Sequence, residues 1–266
     1  MNRNSLLVCC VLSVAAMSAS LAAPASLSVE QIIEKNVAAR GGLAAWRAVN
    51  TLTTEGKMDV GGKPNHELPY VLKQKRPNKS RLEIVFKDQT SVQVYDGTQG
   101  WKVRPFLNRN DAEPYTAAET KLAAAEAELG GPLIDYAAKG NKVALIGSEA
   151  VEGHPAYKLL VTLRSGEKRS VWVDAASFLD VKMDGEPRKL DGRMHKVAIL
   201  FRDYKTEHGL SVAHLQESAV EGVKQTYKMT IAKVAVNEAM ADSLFQKPPP
   251  AAAAAGAVAV PGAKTP

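Results

Sequence analysis

Lys75-Arg76-Pro77-Asn78-Lys79-Ser80-Arg81-Leu82-Glu83-Ile84-Val85-Phe86-Lys87-Asp88-Gln89-Thr90-Ser91-Val92-Gln93-Val94-Tyr95-Asp96-Gly97-Thr98-Gln99-Gly100-Trp101 is the stretch on which the fold turns. Leu82, Ile84 and Phe86 alternate with Arg81, Glu83 and Lys87 across the row. A period of two sends successive side chains to opposite faces of a strand. After a break at Lys87-Asp88, Thr90, Val92 and Val94 resume the pattern. Asp96-Gly97 is a hairpin signal, because glycine accepts the positive φ of a tight turn. Trp101 and Val103 continue on the next strand. Taken as one surface, these rows form a wide apolar face that another part of the chain has to cover.

Outward from this stretch, strands are expected on both sides. Residues 52–60 and 68–75 precede it, with Gly61-Gly62 as their turn, and 105–114 reads as a loop. Further strands are expected at 142–146, 156–163, 168–173, around 179–183 and 197–201, and at 211–219 and 225–236, where Tyr227, Met229 and Ile231 share a side. Two helical regions interrupt them. Ser28 and Gln31 have capping-box spacing ahead of Val29, Ile32, Ile33 and Val37, and Gly41-Gly42 ends that helix before a short piece carrying Leu43, Trp46 and Val49. Thr116 and Glu119 repeat the capping box and open an alanine-rich helix. Its stripe, Ala118, Leu122, Ala125 and Leu129, is thin; Gly130-Gly131-Pro132 breaks it, and Leu133, Ile134 and Tyr136 predict another turn or two of helix before Gly140. Ten or eleven antiparallel strands curl rather than stay flat, and the insert at about 116–139 is placed over their concave face as a lid.

The chain has 266 residues, 45% hydrophobic and 23% charged, as for a folded domain with a sizeable core. Its formal net charge of +6 permits acidic partners without identifying one. Residues 1–25 read as an export signal: Arg3, an apolar run from Leu6 to Ala16, then a cleavage site at Leu21-Ala22-Ala23 or Ala23-Pro24-Ala25. The run is short for a membrane span. Cys9 and Cys10 fall inside this signal and lack a lipid-attachment context, so the exported domain, 26–247, has no cysteine chemistry, and nucleic acid is not an expected partner. Residues 248–266, rich in Pro and Ala, read as a disordered tail.

No catalytic constellation emerges: there is no Gly-x-Ser-x-Gly elbow and no phosphate-binding glycine loop. Of His66, His154, His195, His208 and His214, the pair His208 and His214 could meet across a hairpin, but two histidines without a fixed third ligand make a poor metal site. Asp180, Asp184 and Glu186 read as the polar side and turn of a strand rather than paired catalytic carboxylates. Lys73, Lys75, Arg76, Lys79 and Arg81 fit either a contact with anionic headgroups or an acidic protein, or a solvated strand face. No cofactor and no metal are expected. The apolar rows carry the functional reading. A small, alanine-rich lid fills a concave face poorly, which leaves an apolar cavity lined by Leu82, Ile84, Phe86, Val92, Val94, Trp101, Leu122, Leu129, Tyr227 and Met229.

Lys75-Arg76-Pro77-Asn78, Tyr95-Asp96-Gly97-Thr98-Gln99-Gly100-Trp101 and Ser243-Leu244-Phe245-Gln246-Lys247-Pro248 resemble, in order and spacing, the LolA-type lipoprotein carriers of the periplasm; Gly41-Gly42 to Trp46 is similar to the broader outer membrane lipoprotein-sorting proteins. The resemblance implies an unclosed β-barrel of about eleven antiparallel strands with a helical lid, of LolA/LolB type. A non-enzymatic, soluble, monomeric protein is expected from the sequence itself; the resemblance implies a periplasmic carrier that holds lipoprotein acyl chains or a related lipid and works with inner- and outer-membrane protein partners. Arg76 stands where the family has an arginine tying lid to barrel. The N-terminal section, the spacing of the first strands and the Ala/Pro tail depart from the carriers. The same fold also serves sensors that bind an anti-sigma factor, which is the alternative reading.

Overall fold

The computed structural model describes residues 27–59 and 67–251. The export signal, the Gly61-Gly62 turn and residues 252–266 lie outside them. The first meander comprises β1 (Thr51–Asp59), β2 (Glu67–Lys75), β3 (Lys79–Phe86), β4 (Gln89–Tyr95), β5 (Gly100–Arg104) and β6 (Arg109–Pro114). The second comprises β7 (Lys142–Val151), β8 (His154–Thr162), β9 (Lys168–Asp174), β10 (Asp180–Leu190), β11 (Arg193–Glu207), β12 (Leu210–Val220) and β13 (Thr226–Val236). The two join through β1 and β13 into a single sheet of thirteen strands, ordered β6-β5-β4-β3-β2-β1-β13-β12-β11-β10-β9-β8-β7. β6 and β7 are its free edges, so the barrel is unclosed.

Thirteen strands exceed the expected count. The sequence of β6, Arg-Asn-Asp-Ala-Glu-Pro, has no apolar alternation and reads as a loop. An edge strand needs backbone pairing on one side only, and β6 finds it in Trp101↔Pro114 and Lys102↔Glu113. Two glycines permit close approaches that no other residue allows. A Cβ on Gly56, at the β1 bulge, would stand 1.8 Å from the Thr230 carbonyl oxygen, and one on Gly100 would stand 1.9 Å from the Tyr115 ring.

Both capping boxes form. Ser28 Oγ accepts from the Gln31 N–H at the start of α1 (Val29–Ala39), and Thr116 Oγ1 accepts from the Glu119 N–H at the start of α3 (Ala117–Glu126). Between them lies α2 (Leu43–Ala48). The helix expected at Leu133, Ile134 and Tyr136 is instead a run of turns over 127–140. Glycines at 130, 131 and 140, all at positive φ, prevent a regular helix there. Leu133 and Ile134 serve as plugs, 0% and 2% exposed.

The register corrects the single apolar face. Phe86 pairs with Gln89 around the two-residue turn, so even-numbered residues of β3 stand opposite odd-numbered ones of β4. Directly opposed residues share a face. Leu82 therefore sits with Gln93, whereas Val92 and Val94 sit with Glu83 and Arg81. The face of Leu82 and Ile84 continues through Leu72 and Tyr70 of β2 and carries the helices; it is the inner face. The outer face of β3–β5 is covered by the C-terminal segment. Phe245, fully buried, packs with Val92, Val94 and Val103, with Trp101, Met240, Leu244 and Ala251 around them. Residues 248–251, expected as the start of a disordered tail, follow this surface; Pro248 is buried and the Ala251 N–H donates to the Asn110 carbonyl at 2.8 Å.

Candidate functional site: a roofed recess on the inner face

The inner face is filled at one end. There α1 and the 127–140 turns bury Ile32, Ile33 and Leu133 against Leu159, Val161, Val171 and Val173. Trp46 of α2 packs with Leu52, Leu129, Ile134, Leu210 and Val234. A buried polar knot locks this end: Asp180 accepts from Asn36 Nδ2 at 2.9 Å and from Arg40 Nη1 at 3.1 Å, and the Arg40 guanidinium stacks on Trp46. Both partners of the Arg40–Asp180 pair are 12% exposed.

Toward the other end of the same strands, nothing comparable fills the face. Met58, Leu82, Ile84, Phe86, Ile199, Phe201, Tyr227 and Met229 share the inner face through the pairings of β1, β13, β12 and β11, yet each is only partly buried. This part of the inner face therefore leaves large apolar side chains partly open.

α3 roofs it. The helix contributes no buried side chain. Its attachments are polar: Glu119 pairs with Lys102 of β5, Gln74 Nε2 donates to the Glu126 carbonyl at 3.0 Å, and Lys121 meets Glu167, beside β9, at 3.2 Å. Arg169 of β9 donates to Glu167 at 2.7 Å and lies 3.9 Å from Glu186. Burial pushes the Glu126 carboxyl above the usual carboxylate range; Arg169 opposes the rise and Glu186 adds to it. The same side chain remains reachable by water. A cavity of about 760 Å³ opens beside this end of the roof, lined by Lys121, Arg169, Gly185, Val197 and Val220 and by outer-face Trp172 and Lys182.

Of the residues expected to line the cavity, Leu82, Ile84, Phe86, Tyr227 and Met229 lie on the inner face, each partly buried, and Leu122 is half-buried on α3. Val92, Val94 and Trp101 are on the outer face, under Phe245. Leu129, 3% exposed, is consumed in the packed core with Trp46 and Ile134. Met58, Ile199 and Phe201 share this face, and only strand pairing places them there. Arg76 does not reach α3. Its Nε donates to the Val49 carbonyl at 2.6 Å and its Nη2 to that of Trp46 at 2.9 Å, so it caps the C-terminus of α2.

The basic cluster is largely used internally. Lys75 and Lys79 both pair with Asp242, and Arg81 donates to the Leu244 carbonyl, holding the C-terminal segment. His208 and His214 each bond a β13 carbonyl, of Val234 and Ile231. Among the described residues no group of three or more His, Cys, Asp or Glu side chains is placed to hold a metal ion. Asp180, Asp184 and Glu186 do three separate jobs: Asp180 locks α1, Asp184 accepts from the Ser170 N–H, and Glu186 faces Arg169. No described helix is long and apolar enough to cross a membrane.

No family model and no curated protein matches the sequence. Solved structures do. A LolA superfamily protein from Nitrosomonas europaea is similar over 84% of this chain and 99% of its own, with a TM-score of 0.55 and 14% identity. A putative outer membrane lipoprotein-sorting protein domain from Vibrio parahaemolyticus covers 83% and 96%, with 0.52 and 15%. A DUF1329 family protein from Desulfovibrio piger covers 83% and 98%, with 0.55 and 12%. The chain has the LolA-like fold.

Proposed function

We propose that the chain is a non-enzymatic periplasmic carrier that holds the acyl chains of a lipoprotein, or a related lipid, in the recess beneath α3 for transfer to the outer membrane. The observation that carries this reading is the contrast between two halves of one surface. Under α1 and α2 the inner face is packed solid; farther along the same face Leu82, Ile84, Phe86, Tyr227 and Met229 are half-covered. Each methylene buried there contributes about 0.8 kcal/mol. Exposed ion pairs of the kind that hold α3 contribute roughly 0.2–1 kcal/mol each. A long acyl chain therefore outweighs the contacts of the roof it displaces. The LolA-like fold and the export signal read from residues 1–25 support the same placement.

The test is binding of a fluorescent fatty-acid probe. Ile84→Trp and Met229→Trp, which narrow the recess, are expected to weaken binding at least tenfold, while Thr90→Trp, exposed on the outer face, leaves it unchanged. Equal binding by all four proteins rejects the recess as the site. Wild-type protein that ignores the probe and instead co-purifies with a membrane protein supports the alternative, a sensor on the same fold.

A further inference from the structure

The β10–β11 hairpin outruns its neighbours. β9 pairs with β10 only as far as Val171↔Met183, and β12 pairs with β11 only as far as Val220↔Val197. At Arg188↔His195 the hairpin still touches its neighbours, through His195 Nδ1 to the Glu221 carbonyl at 2.9 Å and Arg188 over Tyr227; beyond it, Lys189↔Met194 and Leu190↔Arg193 pair with each other alone, around the turn at 191–192. Two pairs at about 3.3 Å per residue project roughly 7 Å, with the turn beyond them. Every residue from 186 to 194 is exposed.

The tip has an unusual composition for an exposed two-stranded ribbon. Met194 is 64% exposed and Leu190 37%. Because opposed residues share a face and successive residues alternate, Leu190 and Arg193 lie on the same face as Arg188, which stacks on Tyr227 of the recess wall; Lys189 and Met194 lie on the opposite face. Both faces thus carry one large apolar side chain and cationic neighbours. The acid at the tip is Asp191; Glu186 lies lower and faces Arg169. Lys189 and Arg193 make no ion pair among the described residues.

The rest of this end matches. β3, β5 and β10 run in the same direction, so the turn after β3, the segment after β5 and the hairpin tip share one end of the barrel. Of the seven exposed large hydrophobics among the described residues, five sit at this end: Val85, Phe106, Leu107, Leu190 and Met194.

We infer that the β10–β11 hairpin docks this end of the protein on an anionic lipid bilayer, with Leu190 and Met194 entering the headgroup boundary and Lys189 and Arg193 meeting lipid phosphates. A protein partner covers one face of a ribbon. An apolar residue on each face suits a medium that surrounds the tip, and the cations select its charge. This inference stands apart from the cargo reading, since the surface is outside the recess.

The test is co-sedimentation of the whole exported chain with vesicles of phosphatidylethanolamine and phosphatidylglycerol, against phosphatidylcholine vesicles. Wild type is expected on the anionic vesicles and not on the neutral ones, with binding reduced by added salt. Leu190→Ser with Met194→Ser, and separately Lys189→Glu with Arg193→Glu, are each expected to lower binding about tenfold or more. These side chains are exposed, so circular dichroism should show an unchanged fold. Met194→Trp is expected to show blue-shifted emission on anionic vesicles. Wild type that stays in solution with both vesicle types, or variants that bind as wild type does, overturns the inference. Binding that persists without the emission shift rejects insertion of the tip.

Discussion

Leu122 and Leu133 belong to the same insert between β6 and β7, and truncating each to alanine separates a loose roof from a seated one. Leu133 is fully buried in the cluster with Ile32, Ile33, Leu159 and Val171. Leu133→Ala removes its packing and leaves a cavity that the surrounding strands cannot close, a loss of about 2–5 kcal/mol. Leu122 is half-buried on a helix that buries no side chain and joins no core cluster. Leu122→Ala forfeits part of a transfer energy and gains slightly in helix propensity, a net loss below about 1 kcal/mol. Urea unfolding reads the difference. With a slope of roughly 2 kcal/mol per molar, Leu133→Ala lowers the midpoint by about 1–2.5 M and Leu122→Ala by less than about 0.5 M. Equal losses would refute the reasoning, because a Leu122 worth as much as Leu133 means that α3 rests on a filled interior.

Three further outcomes follow from the filled end of the barrel. Asp180→Ala leaves Arg40 charged and buried, with its Nε already lacking a partner, and should cost about 3–5 kcal/mol by the same urea assay; replacing both residues with apolar ones should recover most of it. Arg76→Met removes two charge-assisted bonds to the α2 carbonyls and should cost about 2–3 kcal/mol, while affinity for the acyl probe stays unchanged, since the roof is not what Arg76 holds. Burial pushes Lys139 down to about 8, with Glu128 opposing, while its Nζ donates to the carbonyls of Leu129 and Gly131. A lowered lysine pKa means that the unfolded chain holds the proton longer. The destabilisation is complete below pH 8 and relieved as pH rises from there toward the ordinary value, so stability should climb by about 1–2 kcal/mol between pH 8 and roughly 9.5, and Lys139→Met should abolish the climb.

The strands were legible because alternation survives in any half-buried strand. Leu82, Ile84 and Phe86 announce β3 without knowledge of its neighbours. Which rows share a face was not legible, because it depends on whether the turn at 87–88 has an even or odd number of residues. That single parity moved Val92, Val94 and Trp101 to the far side. β6 escaped because an edge strand needs no apolar signal. The partner of Arg76 escaped because a guanidinium bonds any free carbonyl within reach, and only the fold shows that the carbonyls of Trp46 and Val49 are nearest. Both capping boxes were legible, since their bonds are local. The loose seating of α3 was legible as well: an alanine-rich stripe has little to bury wherever it is placed.

The central claim is that the inner face beneath α3 takes an acyl chain. A fatty acid carrying a photoreactive diazirine near its end, cross-linked to the protein and mapped by peptide mass spectrometry, tests it most directly. The account predicts adducts on the strands bearing Leu82, Ile84, Phe86, Tyr227 and Met229. Adducts confined to the outer surface around Val92, Val103 and Phe245, or none above the level of a soluble control protein, would contradict it.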